Sequence, residues 1–464
     1  MRLLPGILLL CLYALPLNSQ KEDNIWVFGY KYSSQPLANG IYFNFGDSLA
    51  ISYASKPMSL SDTNASICDS SGDLLYISNG CYLETDKGEY VENSSGLDLG
   101  YGIDTYCIND SFGYPFSQNM IMLPDPKMLN SYYLIYVSTK VEFQPLDAYF
   151  DKVLFSKINQ SLNNGAGKVV QKNQVILADT FHYDGLHAVR HANGRDWWII
   201  VTKLFSNKYY IFLLTPDGFT TSEQSIGEAT WSESGGEMVF SPDGTKLARF
   251  NAKDDLRIFD FDRCTGVLSN PVYIQIEDDA DNQIFAGLSF SADGRYLYAA
   301  EVKRLFQFDM LAADIASSKT IVAERELSPD CPLGDGISFL ELGPDGRIYG
   351  RHLNGQSCMH RMNHPERAGV ACEMVQNFYK FDFAYNNLAG RRACNDFRIQ
   401  RAGTVAVVSR DTGKQARYER VAGWNVRAAI FSTRRTNMGA KVCPVVQRIK
   451  SSATFVPPNR SFID

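Results

Sequence analysis

Several kinds of machinery are missing from this 464-residue chain. There is no GxSxG elbow, no phosphate-cradling GxxxxGK[ST] loop and no HExxH pair, so the best-marked serine hydrolase, nucleotide-binding and zinc protease signatures are absent. Ten cysteines include no CxxC pair, which leaves a structural zinc site without support, and no metal or other cofactor is expected. With 45 Lys+Arg against 51 Asp+Glu the net charge is −6, which gives no basis for nucleic-acid binding. Beyond the N terminus, no apolar run approaches the roughly 20 residues that a bilayer-spanning helix requires.

The N terminus itself reads MRLLPGILLLCLYALPLNSQKEDN. Arg2 precedes an apolar run from Leu3 to Leu17, broken by Pro5 and Pro16, and a polar flank follows. That is the order of a secretory signal over residues 1–20, and it predicts a mature chain that is secreted or at the cell surface, extracellular or periplasmic, with no transmembrane segment. Removing Cys11 with the signal leaves nine cysteines, so at least one thiol is unpaired or intermolecular. A disulfide between Cys358 and Cys372, across a hairpin turning near His364 and Pro365, is one expectation. Buried thiols are the other, because directly paired strand positions strain the bridge geometry.

What the chain has in abundance is one hairpin, repeated. MVFSPDGTKLARF turns at Gly244, LSFSADGRYLYAA at Gly294, LELGPDGRIYGR at Gly346 and VRHANGRDWWIIV at Gly194, at intervals of 50, 50 and 52 residues. Weaker copies turn at Gly72 and near Lys127. Each copy alternates apolar and polar residues on both sides of a tight turn, as strands do when one face is buried. Asp243, Asp293 and Asp345 bond back to their own turns, and the glycines take the left-handed conformation that closes them. A further copy of the turn, Pro216-Asp217-Gly218, lies half a period out of phase, joining a third strand to a fourth. Residues 142–167, with their polar NQSLNNGAG run, read as an extended loop.

A period of about 50 residues holds four short antiparallel strands, which predicts an all-β chain: a β-propeller of four-stranded blades, seven of them, or six as the alternative. The seventh blade requires a strand near Asn395–Ile399 to close on the N-terminal strands. The expected organisation is a signal over 1–20, the propeller over 21–400 and a basic tail over 401–464, disordered or atypical. From Ala384 to Asp464 there are 15 Lys+Arg against 4 Asp+Glu.

Candidate chemistry is sparse. His182, His187 and His191 fall in FHYDGLHAVRHANGRDWW, but His187 and His191 on one strand stand about 13 Å apart, too far to share an ion. His191, Asp196 and Trp197 are expected to tie neighbouring strands together through side-chain hydrogen bonds. The acidic run IEDDADNQIF lacks the glycine and distal glutamate of an EF-hand loop, and the SPDGT turn lacks the residue that separates Asp from Gly in a sialidase Asp-box.

HANGRDWWIIV, GLSFSADGRYLYAAE, SSKTIVAERE and GVACEMVQN resemble a WD40-like, PD40-type propeller found in secreted proteins of Bacteroidota, over about Asn24 to Gln400. The resemblance implies compartment and fold and little about mechanism. The expected function is a monomeric scaffold that binds a protein or glycan partner through its loops without catalysis. Two alternatives stand beside it: a hydrolase, lyase or lactonase using the central channel, and an architectural segment of an envelope or adhesin assembly.

Overall fold

The computed structural model describes most of residues 21–385; residues 1–20, 386–464 and several internal stretches, the longest being 30–39, 99–105 and 277–285, lie outside the description. The expected signal, the closing strand at Asn395–Ile399 and the basic tail all fall there. Among the described residues no helix is long and apolar enough to cross a membrane.

Strands dominate, and every pairing between them is antiparallel. Strands β1 (Ile25–Phe28), β2 (Gly40–Phe45) and β3 (Leu49–Ala54) form one three-stranded sheet, and β4 (Ala65–Cys68), β5 (Leu74–Ser78) and β6 (Leu83–Thr85) form another. A seven-stranded sheet follows, made of β7 (Met120–Pro124), β8 (Ser131–Phe143), β9 (Leu146–Asn159), β10 (Lys168–Arg190), β11 (Trp197–Lys203), β12 (Lys208–Thr215) and β13 (Gly218–Ser225). Three four-stranded sheets complete the described chain. They are β14 (Gly236–Phe240) to β17 (Val267–Ile274), β18 (Ala286–Phe290) to β21 (Thr320–Glu324), and β22 (Phe339–Leu342) to β25 (Met374–Tyr385), with β15 (Lys246–Asn251), β16 (Asp255–Asp262), β19 (Tyr296–Glu301), β20 (Arg304–Asp309), β23 (Ile348–Arg351) and β24 (Gln356–Met362) between them.

This arrangement corrects the expectation of seven, or six, uniform propeller blades. The sheets have three, seven or four strands, and none of them closes or curls on itself. The cause of the largest departure is β10. Its first portion pairs with β9 and its last, Leu186 to Arg190, pairs with β11, so one 23-residue strand serves two neighbours and fuses what the repeat spacing had separated. No tight turn interrupts it; register shifts between Ala178 and Phe181 and between Phe181 and Leu186 absorb the change of partner. The segment expected as a loop, residues 142–167, instead supplies the whole of β9 and its turns, because LDAYFDKVLFSKIN alternates well enough to pair with β8 along its length.

Successive sheets pack face to face. Leu247 and Phe259 meet Trp198 and Tyr209 of the seven-stranded sheet, and Phe250 and Ile258 meet Leu288 and Leu297 of the next. Tyr298 and Leu305 then meet Leu340 and Met362. Trp26, Phe28 and Phe43 of the first sheet pack edge to face with Tyr349 and Phe381 of the last described one, with Trp26 and Tyr349 centroids 5.4 Å apart.

Candidate functional site

The repeated turns hold most of the expected site residues. Gly72, Gly194, Gly244, Gly294 and Gly346 all have positive φ, between 69° and 95°, where a side chain is strained. Asp243 Oδ1 accepts from Ser241 Oγ at 2.6 Å and from the Thr245 N–H at 3.0 Å. Asp293 accepts from Ser291 Oγ at 2.6 Å and the Arg295 N–H at 3.1 Å. Asp345 takes the Arg347 N–H and the Tyr349 hydroxyl. Asp217, between β12 and β13, instead donates its N–H to Thr215 Oγ1 at 3.2 Å, and Gly218 follows at φ 108°. These bonds direct the carboxylates of Asp243, Asp293 and Asp345 inward to their own turns.

The three neighbouring histidines differ in their surroundings. His182 Nε2 lies 2.9 Å from the Ser232 carbonyl and 3.4 Å from Asp254 Oδ2, in a fully buried cluster where Ser232 Oγ also donates to Asp254 at 2.9 Å. Burial pushes the Asp254 carboxyl up, but its bonds with His182, the Trp231 N–H and Ser232 outweigh that and hold it below the usual range. His191 belongs to the turn before β11: Nδ1 accepts the Asn193 N–H at 3.0 Å, Nε2 is 3.2 Å from the Cys264 carbonyl, and the ring stacks on Trp198 at 5.5 Å. Burial lowers the His191 pKa. Asp196 accepts the His191 N–H through its carbonyl at 2.8 Å and binds Asn193 and Arg195 through its carboxylate. Trp197 points elsewhere, donating Nε1–H to the Pro124 carbonyl at 3.2 Å under the Arg190 guanidinium. So His191 and Asp196 share a turn, and Trp197 ties β11 to the end of β7. Among the described residues no three metal-ligating side chains converge.

The cysteines require a correction. Cys358 is bonded to Cys331, not to Cys372, and a second disulfide joins Cys81 to Cys107. Cys358 stands opposite Lys380 in the β24–β25 pairing, which places Cys372, beyond the last pair Met362–Met374, out of reach. Cys372 is a buried free thiol whose pKa burial raises.

His187 has a different setting from its neighbours. It lines a small cleft, about 30 Å³, between the end of β10 and the strands β14, β18 and β22. Ser289 and Glu341 line the same cleft; Val239, Phe240, Pro242, Leu288, Phe290, Leu340 and Leu342 make the rest of it apolar. The His187 ring sits 5.8 Å from that of Phe240. His187 and Ser289 are nearly buried, at 6% and 4% exposure, and Glu341 is half-buried. An apolar wall with a few convergent polar groups is the usual form of a small-molecule site. Sequence reasoning set His187 aside and missed Ser289 and Glu341. One signal was there: Val239, Ser289 and Glu341 all stand five residues before a turn glycine, so one repeat position changes chemistry while the turn beside it stays constant.

No family model matches this chain, and no curated protein does. The resemblance to PD40-type propellers is therefore not supported. Solved structures align at low similarity. A protein from Lactobacillus plantarum shows 11% identity and a TM-score of 0.45, covering 79% of this chain and 98% of its own. A putative 6-phosphogluconolactonase from Bacteroides uniformis shows 13% identity and a TM-score of 0.46 over 79% and 98%. The periplasmic gluconolactonase of Pseudomonas aeruginosa shows 12% and 0.40 over 79% and 99%. Similarity this shallow carries no argument from those proteins to this one. The non-catalytic scaffold expected on a ring of blades loses its basis with the ring, and what converges instead is a cleft inside the sheets.

Proposed function

We propose that the chain is a hydrolase acting on small ester or lactone carbonyls in the cleft between β10, β14, β18 and β22. The observation that carries this reading is the convergence of His187, Ser289 and Glu341 on one otherwise apolar cavity. Glu341, the most accessible of the three, takes a proton from a water molecule as its oxygen attacks the carbonyl carbon. An N–H of His187 donates to the oxygen on which negative charge develops, and the Ser289 hydroxyl orients the substrate. Collapse expels the alkoxide, which recovers the proton held by Glu341, leaving a carboxylic acid and a hydroxyl. The apolar lining limits competing water and strengthens both interactions.

The test is hydrolysis of a panel of five- and six-membered lactones and acyclic acetate esters, followed by base uptake at constant pH. Glu341→Gln and His187→Ala are each expected to lower kcat/KM by about 10² to 10⁴. An unaltered protein that hydrolyses no member of the panel above the buffer rate overturns the reading.

A further inference from the structure

We propose that Gln118 and Glu237, both outside the cleft lining, form a polar brace that sets its geometry, and that they are positioning residues for the reaction. This rests on the cleft being the reaction site. Strands β14, β18 and β22 each stand at the end of their sheet, so the N–H groups on their outer side have no ladder partner. Glu237, 4% exposed on β14, meets that need for two strands at once. Its Oε2 accepts the Leu288 N–H of β18 at 2.7 Å and, more weakly, the Leu340 N–H of β22 at 3.5 Å.

Gln118, also 4% exposed, works from the other side. Its Oε1 accepts the Met238 N–H of β14 at 3.2 Å, and its backbone carbonyl accepts the Leu186 N–H of β10 at 2.9 Å. Gln118 is held at φ 55°, an uncommon conformation for a residue with a side chain. Gly185 packs so closely on it that a Cβ there would lie 2.1 Å from the Gln118 carbonyl oxygen.

The amides so held have one thing in common. Leu186 immediately precedes His187, Leu288 precedes Ser289 and Leu340 precedes Glu341. Each of the three polar cleft residues thus follows a peptide fixed by the brace, and the two brace residues meet at consecutive positions of β14, Glu237 and Met238. Sub-ångström placement of reacting groups is what such a support supplies. The carboxylate of Glu237 is engaged with backbone N–H groups, so its contribution is an acceptor oxygen in the right place.

Amide hydrogen exchange tests the brace without reference to activity. In Glu237→Ala, exchange at Leu288 and Leu340 is expected to rise at least about tenfold relative to other amides of the same sheets, and in Gln118→Ala the same at Met238. Glu237→Gln keeps a carbonyl acceptor and is expected to stay within about threefold of the unaltered protein, in exchange and in kcat for the lactone panel. Unchanged exchange in Glu237→Ala overturns the proposal. So does a Glu237→Gln protein that retains protection yet loses hydrolysis as completely as Glu237→Ala, since that assigns the carboxylate a chemical role. Absence of any hydrolysis by the unaltered protein refutes the proposed function and leaves the exchange result to decide the brace.

Discussion

The four-stranded sheets from Gly236 to Tyr385 and the seven-stranded sheet before them are built from similar strands but are bounded differently. In the former, tight turns at Gly244, Gly294 and Gly346 close the first hairpin of each sheet, and the chain then leaves the sheet after a fourth strand. In the latter, β10 runs through Tyr183, Asp184 and Gly185 without reversing, and the two halves become one sheet. The lesson is that strand content and sheet boundaries are encoded separately. Alternation supplies strands, whereas the boundary depends on whether a reversal or a bulge occupies a few residues.

Substitutions sharpen that contrast. The largest effect is expected at Gly185, where φ is 72° and an added Cβ would meet backbone, not a mobile side chain, at 2.1 Å. Gly185→Ala should cost ~4 kcal/mol in urea unfolding, combining left-handed strain with a clash that no rotamer relieves; a loss under ~1 kcal/mol would show that β10 passes this point more loosely. Gly244→Ala comes next at ~3 kcal/mol, because its Cβ would lie 2.7 Å from both Arg263 Cδ and Val189 Cγ2, side chains that can give a little.

Asp254 links the two regions, since it sits in the turn between β15 and β16 and bonds toward His182 of β10. Asp254→Asn should cost ~2 kcal/mol at neutral pH through loss of charge-assisted hydrogen bonds. Because the folded-state pKa of Asp254 is lowered, its contribution is present above the unfolded carboxylate value near 4 and is lost as pH falls through the folded one. Thermal melts from pH 6 to pH 2 should therefore fall more steeply for the unaltered protein than for Asp254→Asn, and parallel curves would refute the assignment. The smallest effect is expected for Gly294→Ala, ~1 kcal/mol, as its Cβ would meet nothing nearer than Pro242 Cδ at 3.8 Å and only the φ of 73° opposes it. Equal losses at Gly244 and Gly294 would mean that the two turns differ less in their surroundings than their geometry indicates.

How far the sequence disclosed this structure follows the same division. The strands around Gly294 were legible nearly to the residue, because alternation and turn chemistry agree there. GLSFSADGRYLYAAE falls on β18 and β19, and SSKTIVAERE on β21. The segment 142–167 was not, because NQSLNNGAG is polar enough to suggest a loop although most of it is only the turn between two long strands. The Cys331–Cys358 bridge was hidden because sequence distance carries no information about which thiols meet in space. His187, Ser289 and Glu341 lie on different sheets, and only the packing of β10, β14, β18 and β22 brings them together. Glu237 looked like an ordinary polar residue at a strand start; its value comes from two amides 51 and 103 residues away.

Strand β10 also dictates where the chain tolerates interruption. A break between β13 and β14 would fall between one complete sheet and the next. A break anywhere from Lys168 to Arg190 would strip an edge from both halves of the seven-stranded sheet at once. Fragments ending there should fail to fold separately and should associate only as a pair, so the segment from Met120 to Ser225 should fold as one unit.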